Sequence, residues 1–92
     1  MLKVETTKQF KQDYKLAIRR GLDPKKLERV VSILCNEQSL PNKYKDHALV
    51  NSKNYIDVRE CHIEPDWLLI YKINRGTLIL RLIRTGTHSD LF

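Results

Sequence analysis

The amino-acid sequence predicts a single α+β domain, residues 1–92, in which a helical hairpin packs on a twisted, mostly antiparallel sheet in the order β-α-α-β-β-β. Three observations predict it. Apolar residues recur at helical spacing in residues 10–34. Alternating or continuous apolar runs fill residues 55–85, bounded by Pro and Gly. A short break, Gly21-Leu22-Asp23, separates two helical stripes and leaves room only for a tight helix–helix turn. Ninety-two residues with 41% hydrophobic content support one modest core and no more.

Each element has a local cause. Met1 to Glu5 alternates loosely and reads as a short first strand. Thr6 or Thr7 then supplies an N-cap hydroxyl. Phe10, Tyr14, Ala17 and Ile18 form one helical stripe, with Lys8, Lys11, Lys15 and Arg19 off it, and Gly21 stops the helix. Asp23 caps a second helix with Pro24 at its first position, and Leu22 is placed to staple against Leu27. Leu27, Val30, Val31 and Leu34 carry that helix to about Glu37. Leu40-Pro41-Asn42 opens a polar loop through Asn54. Strands are expected over Tyr55–Ile63, Trp67–Ile73 and Thr77–Thr85, with Pro65 and Asn74-Arg75-Gly76 at the turns. The near-continuous apolar run from Trp67 suits a central strand covered on both faces.

Charge is uneven. The formal net charge is +6. Nine Lys and Arg against four Asp and Glu fall in residues 1–29, and eight against seven in the remainder. The helical hairpin therefore carries a surface suited to a polyanion. No apolar run approaches the ~18–20 residues of a membrane span, and the N-terminus lacks a signal-peptide layout, so a cytoplasmic protein without a membrane partner is expected. Cys35 and Cys61 form no disulfide framework, and no metal-ligand spacing is visible, so no metal or cofactor is expected. Three glycines in all leave no phosphate-cradling loop.

The chemistry-bearing residues lie in the second half. The strand Thr77–Thr85 runs back beside Trp67–Ile73, so residues past Ile83 return to the level of Trp67. This register gathers His62, Asp66, Trp67, Arg84 and His88 at one end of the sheet. Imidazoles and a carboxylate suit proton transfer, an arginine suits phosphate charge, and Trp67 or Phe92 offers an aromatic surface for a base. Internal cleavage of RNA needs that combination: a base for the 2′-OH, an acid for the departing 5′-oxygen, and a cation on the phosphoryl group.

Three stretches then resemble the YafQ branch of the RelE/ParE toxin superfamily: Tyr44-Lys45-Asp46-His47-Ala48-Leu49, the segment from Arg59 to Lys72 containing His62-Ile63-Glu64-Pro65-Asp66-Trp67, and Arg84-Thr85-Gly86-Thr87-His88-Ser89-Asp90-Leu91-Phe92. Length and element order agree. The resemblance implies a RelE-like fold and a type II toxin, a ribosome-dependent endoribonuclease that cuts mRNA and is restrained by a cognate DinJ/RelB-like antitoxin. Operator DNA would be met only through that antitoxin. It also implies His88 as general acid, Asp66 or His62 as base or orienting partner, Arg84 on the phosphate, His47 assisting from the preceding loop, and Trp67 and Phe92 positioning the message. Lys8, Lys11, Lys15, Arg19, Arg20, Lys25, Lys26 and Arg29 would hold ribosomal RNA. Asn51-Ser52-Lys53-Asn54-Tyr55 departs from the Gly/Trp-containing linker common in relatives. Two other readings stay open: a ParE-like inhibitor of DNA gyrase without enzymatic activity, and an inactive relative that only binds antitoxin.

Overall fold

A computed structural model describes residues 1–49 and 57–92. Its elements are β1 (Lys3–Thr6), α1 (Lys8–Arg19), α2 (Pro24–Cys35), β2 (His47–Ala48), β3 (Arg59–Glu64), β4 (Trp67–Asn74), β5 (Ile79–Gly86) and α3 (His88–Leu91), with a 3₁₀ turn at Asn42–Tyr44. The strands form one sheet in the order β1-β5-β4-β3-β2. β1 pairs parallel with β5, and the other pairings are antiparallel. The mixed sheet with a helical pair on one face is the predicted α+β architecture.

Local chemistry accounts for the helix limits. Thr7 is the N-cap of α1: its Oγ1 accepts from the Phe10 N–H at 2.9 Å and donates to the Ile83 carbonyl at 2.8 Å, which pins the helix start to β5. Asp23 caps α2 through the Lys25 N–H, with Pro24 behind it. α2 ends at Cys35, two residues before the expected limit. The polar loop expected from Leu40 contains the 3₁₀ turn and β2, two short elements without a period long enough to read. Of the strand expected from Tyr55, the part from Arg59 is observed; Tyr55, Ile56 and the Asn51–Tyr55 departure lie outside the described residues.

The sheet has two unlike faces. Under the helices, Cys61, Ile63, Trp67, Leu69, Tyr71, Leu80 and Leu82 pack with Phe10, Ala17, Leu27, Val30 and Leu34. On the other face Val58, Leu68 and Ile70 pack with Leu91 of α3. β4 is therefore covered on both sides, as its apolar run requires, and its residues 67–71 are all at most 1% exposed. Two register irregularities matter. One lies between His62 and Glu64, opposite the Pro65-Asp66 turn, and the other leaves Ile83 unpaired between Leu82 and Arg84.

Candidate active site

Alternation along β3 sends Arg59, Cys61 and Ile63 toward the helices and leaves Glu60 and His62 on the opposite face. β2 lies beside β3 with His47 directly opposite Glu60. The short β3–β4 turn carries Asp66, and α3 begins at His88, just past the end of β5. The three imidazoles thus meet: ring centroids are 6.4 Å apart for His47 and His62, and 5.6 Å for His62 and His88.

Each imidazole is oriented through Nδ1. His47 Nδ1 lies 2.7 Å from the Lys45 carbonyl oxygen, His62 Nδ1 lies 3.2 Å from that of Pro65, and His88 Nδ1 lies 2.7 Å from Asp66 Oδ1. These partners are acceptors only, so Nδ1 carries the proton in all three rings and Nε2 is the working nitrogen. Glu60, whose side chain is 6% exposed, sits between two of them on the Nε2 side: Oε1 is 3.6 Å from His47 Nε2 and 3.5 Å from His62 Nε2. Those separations are at or just past the limit of a direct hydrogen bond, so a small closure would form one. Asp66 Oδ1 also accepts the His88 backbone N–H at 2.9 Å. That backbone bond and then the ring hold the Asp66 carboxyl below the usual carboxylate range. Asp66 is placed to orient His88.

α3 is built to hold His88 at its start. Thr87 and Asp90 form a reciprocal capping box, and the Arg20 guanidinium reaches Asp90 Oδ2 at 2.7 Å from the end of α1. Arg20 and the Thr87 N–H bring the Asp90 carboxyl down to about 2. A Cβ on Gly86 would stand 2.9 Å from Asp90 Oδ2, so this latch needs glycine there. On the other edge, Asp46 accepts from Arg59 at 3.2 and 3.1 Å and from the Tyr71 hydroxyl at 2.5 Å, which anchors the chain immediately before His47. Burial, followed by the bond to Asp46, pushes the Tyr71 hydroxyl well up.

The sequence expectations divide accordingly. His62, Asp66 and His88 come together as the hairpin register implies, and His47 joins them from a paired strand rather than a loop. Trp67 requires a correction. It is 1% exposed on the helix face, and its Nε1–H donates to Thr85 Oγ1 at 2.8 Å, so it offers no surface to a base. Phe92 is 61% exposed beside α3 and does offer one. Arg84 is held by Asp13 of α1, with Nε and Nη2 at 2.9 and 3.0 Å from the two carboxylate oxygens. Burial works to raise the Asp13 carboxyl, but bonds from Arg84, Gln9 and the Thr85 N–H leave it below its ordinary value. Arg84 therefore stands at the site end of β5 with its plane set by α1. Of the basic helix residues, Lys8, Lys11, Lys15, Arg19, Lys25 and Lys26 are exposed, whereas Arg20 is engaged by Asp90.

Glu60 escaped the sequence reading. Its signal was present: Glu60 and His62 lie two residues apart and share a strand face. The donors Glu60, His62 and His88 have ligand atoms all within 4.8 Å of one another. They come from separated segments, which is why no ligand spacing shows in the sequence. Cys61 takes no part, since it is buried on the other face and burial, chiefly, pushes its thiol up to about 12.

Comparison with known proteins agrees with this geometry. The family model for the bacterial toxin of type II toxin–antitoxin systems, YafQ, matches residues 2–92. The mRNA interferase toxin YafQ of Escherichia coli strain B / BL21-DE3 is 46% identical over 91 residues, covering 97% of this chain and 94% of that protein. A metal-bound toxin from Helicobacter pylori superposes with a TM-score of 0.92 at 47% identity, covering 100% of both chains. The YafQ chain of the E. coli DinJ–YafQ complex gives 0.88 at 43% identity, covering 100% of this chain and 99% of that one. With a family model matched over nearly its whole length and a relative 46% identical, the chain belongs to the YafQ family of bacterial type II toxin–antitoxin toxins.

Proposed function

We propose that this protein is a ribosome-dependent endoribonuclease that cuts mRNA and is restrained by a DinJ/RelB-like antitoxin. The observation that carries the reading is the gathering of three imidazole rings, 6.4 and 5.6 Å apart in succession, with Nδ1 of each ring already committed to an oxygen. His62 Nε2 takes the proton from the 2′-OH, and Glu60 beside that nitrogen offsets the imidazolium charge that forms. The 2′-oxygen attacks phosphorus while the bond from phosphorus to the 5′-oxygen breaks. His88, protonated on both nitrogens and oriented by Asp66, delivers its Nε2 proton to that leaving oxygen. The products are a 2′,3′-cyclic phosphate and a 5′-hydroxyl. His47 supports the base side through Glu60, Arg84 meets phosphate charge, and Phe92 stacks on a base. A gyrase poison has no use for such proton donors.

Primer extension on a reporter message, with and without ribosomes, tests this. The parent should cut within the reading frame only when ribosomes are present. His88→Ala should lower cleavage by about 10²–10⁴-fold, the usual scale of a general acid. Asp66→Ala should cost less, because it disturbs orientation alone. Intact message with the parent would sink the reading.

The gathered donors favour a second reading. A divalent cation held by Glu60, His62 and His88 would occupy the Nε2 lone pairs that proton transfer requires. The metal-bound H. pylori relative is consistent with such binding. Zinc should therefore suppress cleavage and a chelator restore it; loss of activity with the chelator would reverse the assignment.

A further inference from the structure

A cavity of about 390 Å³ opens beside His62, and His88 is not part of its lining. Lys26 and Arg29 of α2, Lys43 and Lys45 around the 3₁₀ turn, and Tyr44 line it together with His62. Its one carboxylate, Glu64, is already matched by Lys26 at 2.6 Å. Among the described residues no carboxylate pairs with Arg29, Lys43 or Lys45. The Lys43 ammonium stands 5.0 Å from the centre of the Tyr44 ring, which is itself buried and so serves as floor rather than as a stacking surface. An uncompensated cluster of cations in a concave site of this size suits one phosphate-bearing nucleotide.

The cavity is also tied to the catalytic rings. The Lys45 carbonyl that fixes His47 and the Pro65 carbonyl that fixes His62 both belong to residues of its wall. Lys45 adopts φ 48°, a left-handed turn at which its carbonyl meets His47 while the residue lines the cavity. A phosphate seated there would lie at a set offset from the reacting atoms.

We infer that this cavity is a subsite for the RNA phosphate on the 5′ side of the nucleotide whose 2′-OH is deprotonated, with Lys43 and Lys45 as its principal contacts. The inference rests on the cleavage reading, in which His62 is on the 2′-OH side and His88 on the leaving-group side. The subsite positions the strand by its backbone, so its contribution is the same for every codon.

The test uses a 2′-O-methyl trinucleotide, which cannot be cut, titrated into the parent and into a Lys43→Ala/Lys45→Ala double variant and followed by amide chemical shifts. A 5′-phosphate on the probe should tighten binding to the parent and shift the Lys43 and Lys45 amides. The double variant should lose that gain and show a log–log salt dependence shallower by about 0.7, the share of one phosphate on a single strand. On ribosomes the variant should co-sediment as the parent does and cut all codons less, by a common factor. Equal probe affinity in parent and variant overturns the subsite, as does a gain from a 3′-phosphate in place of the 5′-phosphate. Lost co-sedimentation assigns the lysines to ribosomal RNA and likewise overturns it. A parent that binds the probe through these lysines yet cuts no message refutes the cleavage reading while leaving an anion subsite.

Discussion

At the scale of single residues, Glu60 and Trp67 have roles opposite to what side-chain type suggests. Glu60 is a carboxylate with almost no exposure, yet its Oε1 faces two imidazole nitrogens, which places it with the proton-handling groups of the proposed mechanism. Glu60→Gln keeps the volume and removes the charge. It should lower ribosome-dependent cleavage while leaving the far-UV spectrum and melting cooperativity intact; unchanged cleavage would remove Glu60 from the base side. Trp67 is aromatic and adjoins Asp66, yet it lies in the core, where Thr85 Oγ1 accepts its Nε1–H and donates to the Leu68 carbonyl at 2.7 Å. Trp67→Phe should cost about 1–3 kcal/mol of stability through the lost bond and volume. RNA affinity per folded molecule should stay the same, and weaker binding by the fully folded variant would restore a direct contact.

At the scale of elements, the site depends on a four-residue helix that could not stand alone. α3 is held by the Thr87–Asp90 box, by Leu91 in the core and by Arg20 reaching from α1. The Asp90 carboxyl sits at about 2, against an ordinary 3.8. A depressed carboxyl contributes its full share above the unfolded value and loses it as pH falls through the folded one. The latch should therefore hold at pH 4 and above and release toward pH 2. Thr87 donates its N–H to Asp90 Oδ2, so its amide shift should titrate with a midpoint near 2, and Arg20→Ala should move that midpoint upward. A midpoint at 3.8 in the parent would show that Arg20 does not hold α3. α1 thus steadies both Arg84, through Asp13, and His88, through Asp90.

At the scale of the whole molecule, the helical hairpin packs on one face of the sheet and Glu60 and His62 lie on the other, while Lys26 and Arg29 of α2 meet His62 in one cavity. Lys8, Lys11, Lys15 and Lys25 are exposed on the helices and are not part of that cavity's lining. A basic surface beyond the site suits the proposed presentation of the substrate by a larger RNA-containing particle. Reversing Lys8, Lys11 and Lys15 together should weaken ribosome co-sedimentation and flatten its salt dependence, with antitoxin binding kept. Unchanged sedimentation would leave the helical charge as a solubilising surface only. No helix among the described residues is long and apolar enough to cross a membrane.

The elements were legible because their causes are local: Thr7 and Asp23 as caps, Pro24 at a helix start, and apolar periods of 3.6 and 2. The approach of His62, Asp66 and His88 was legible too, since one tight hairpin sets it. The sequence by itself thus determined the α+β order, the two-sided burial of β4 and three members of the site. Tertiary structure alone decided that Trp67 turns inward, that Glu60 stands between His47 and His62, and that Arg84 is braced by Asp13. The physical reason is parity and distance. An extra residue such as Ile83 changes which face the following side chains take, and no local signal marks it. The partners of Glu60 and Arg84 come from segments that only pairing and packing bring together.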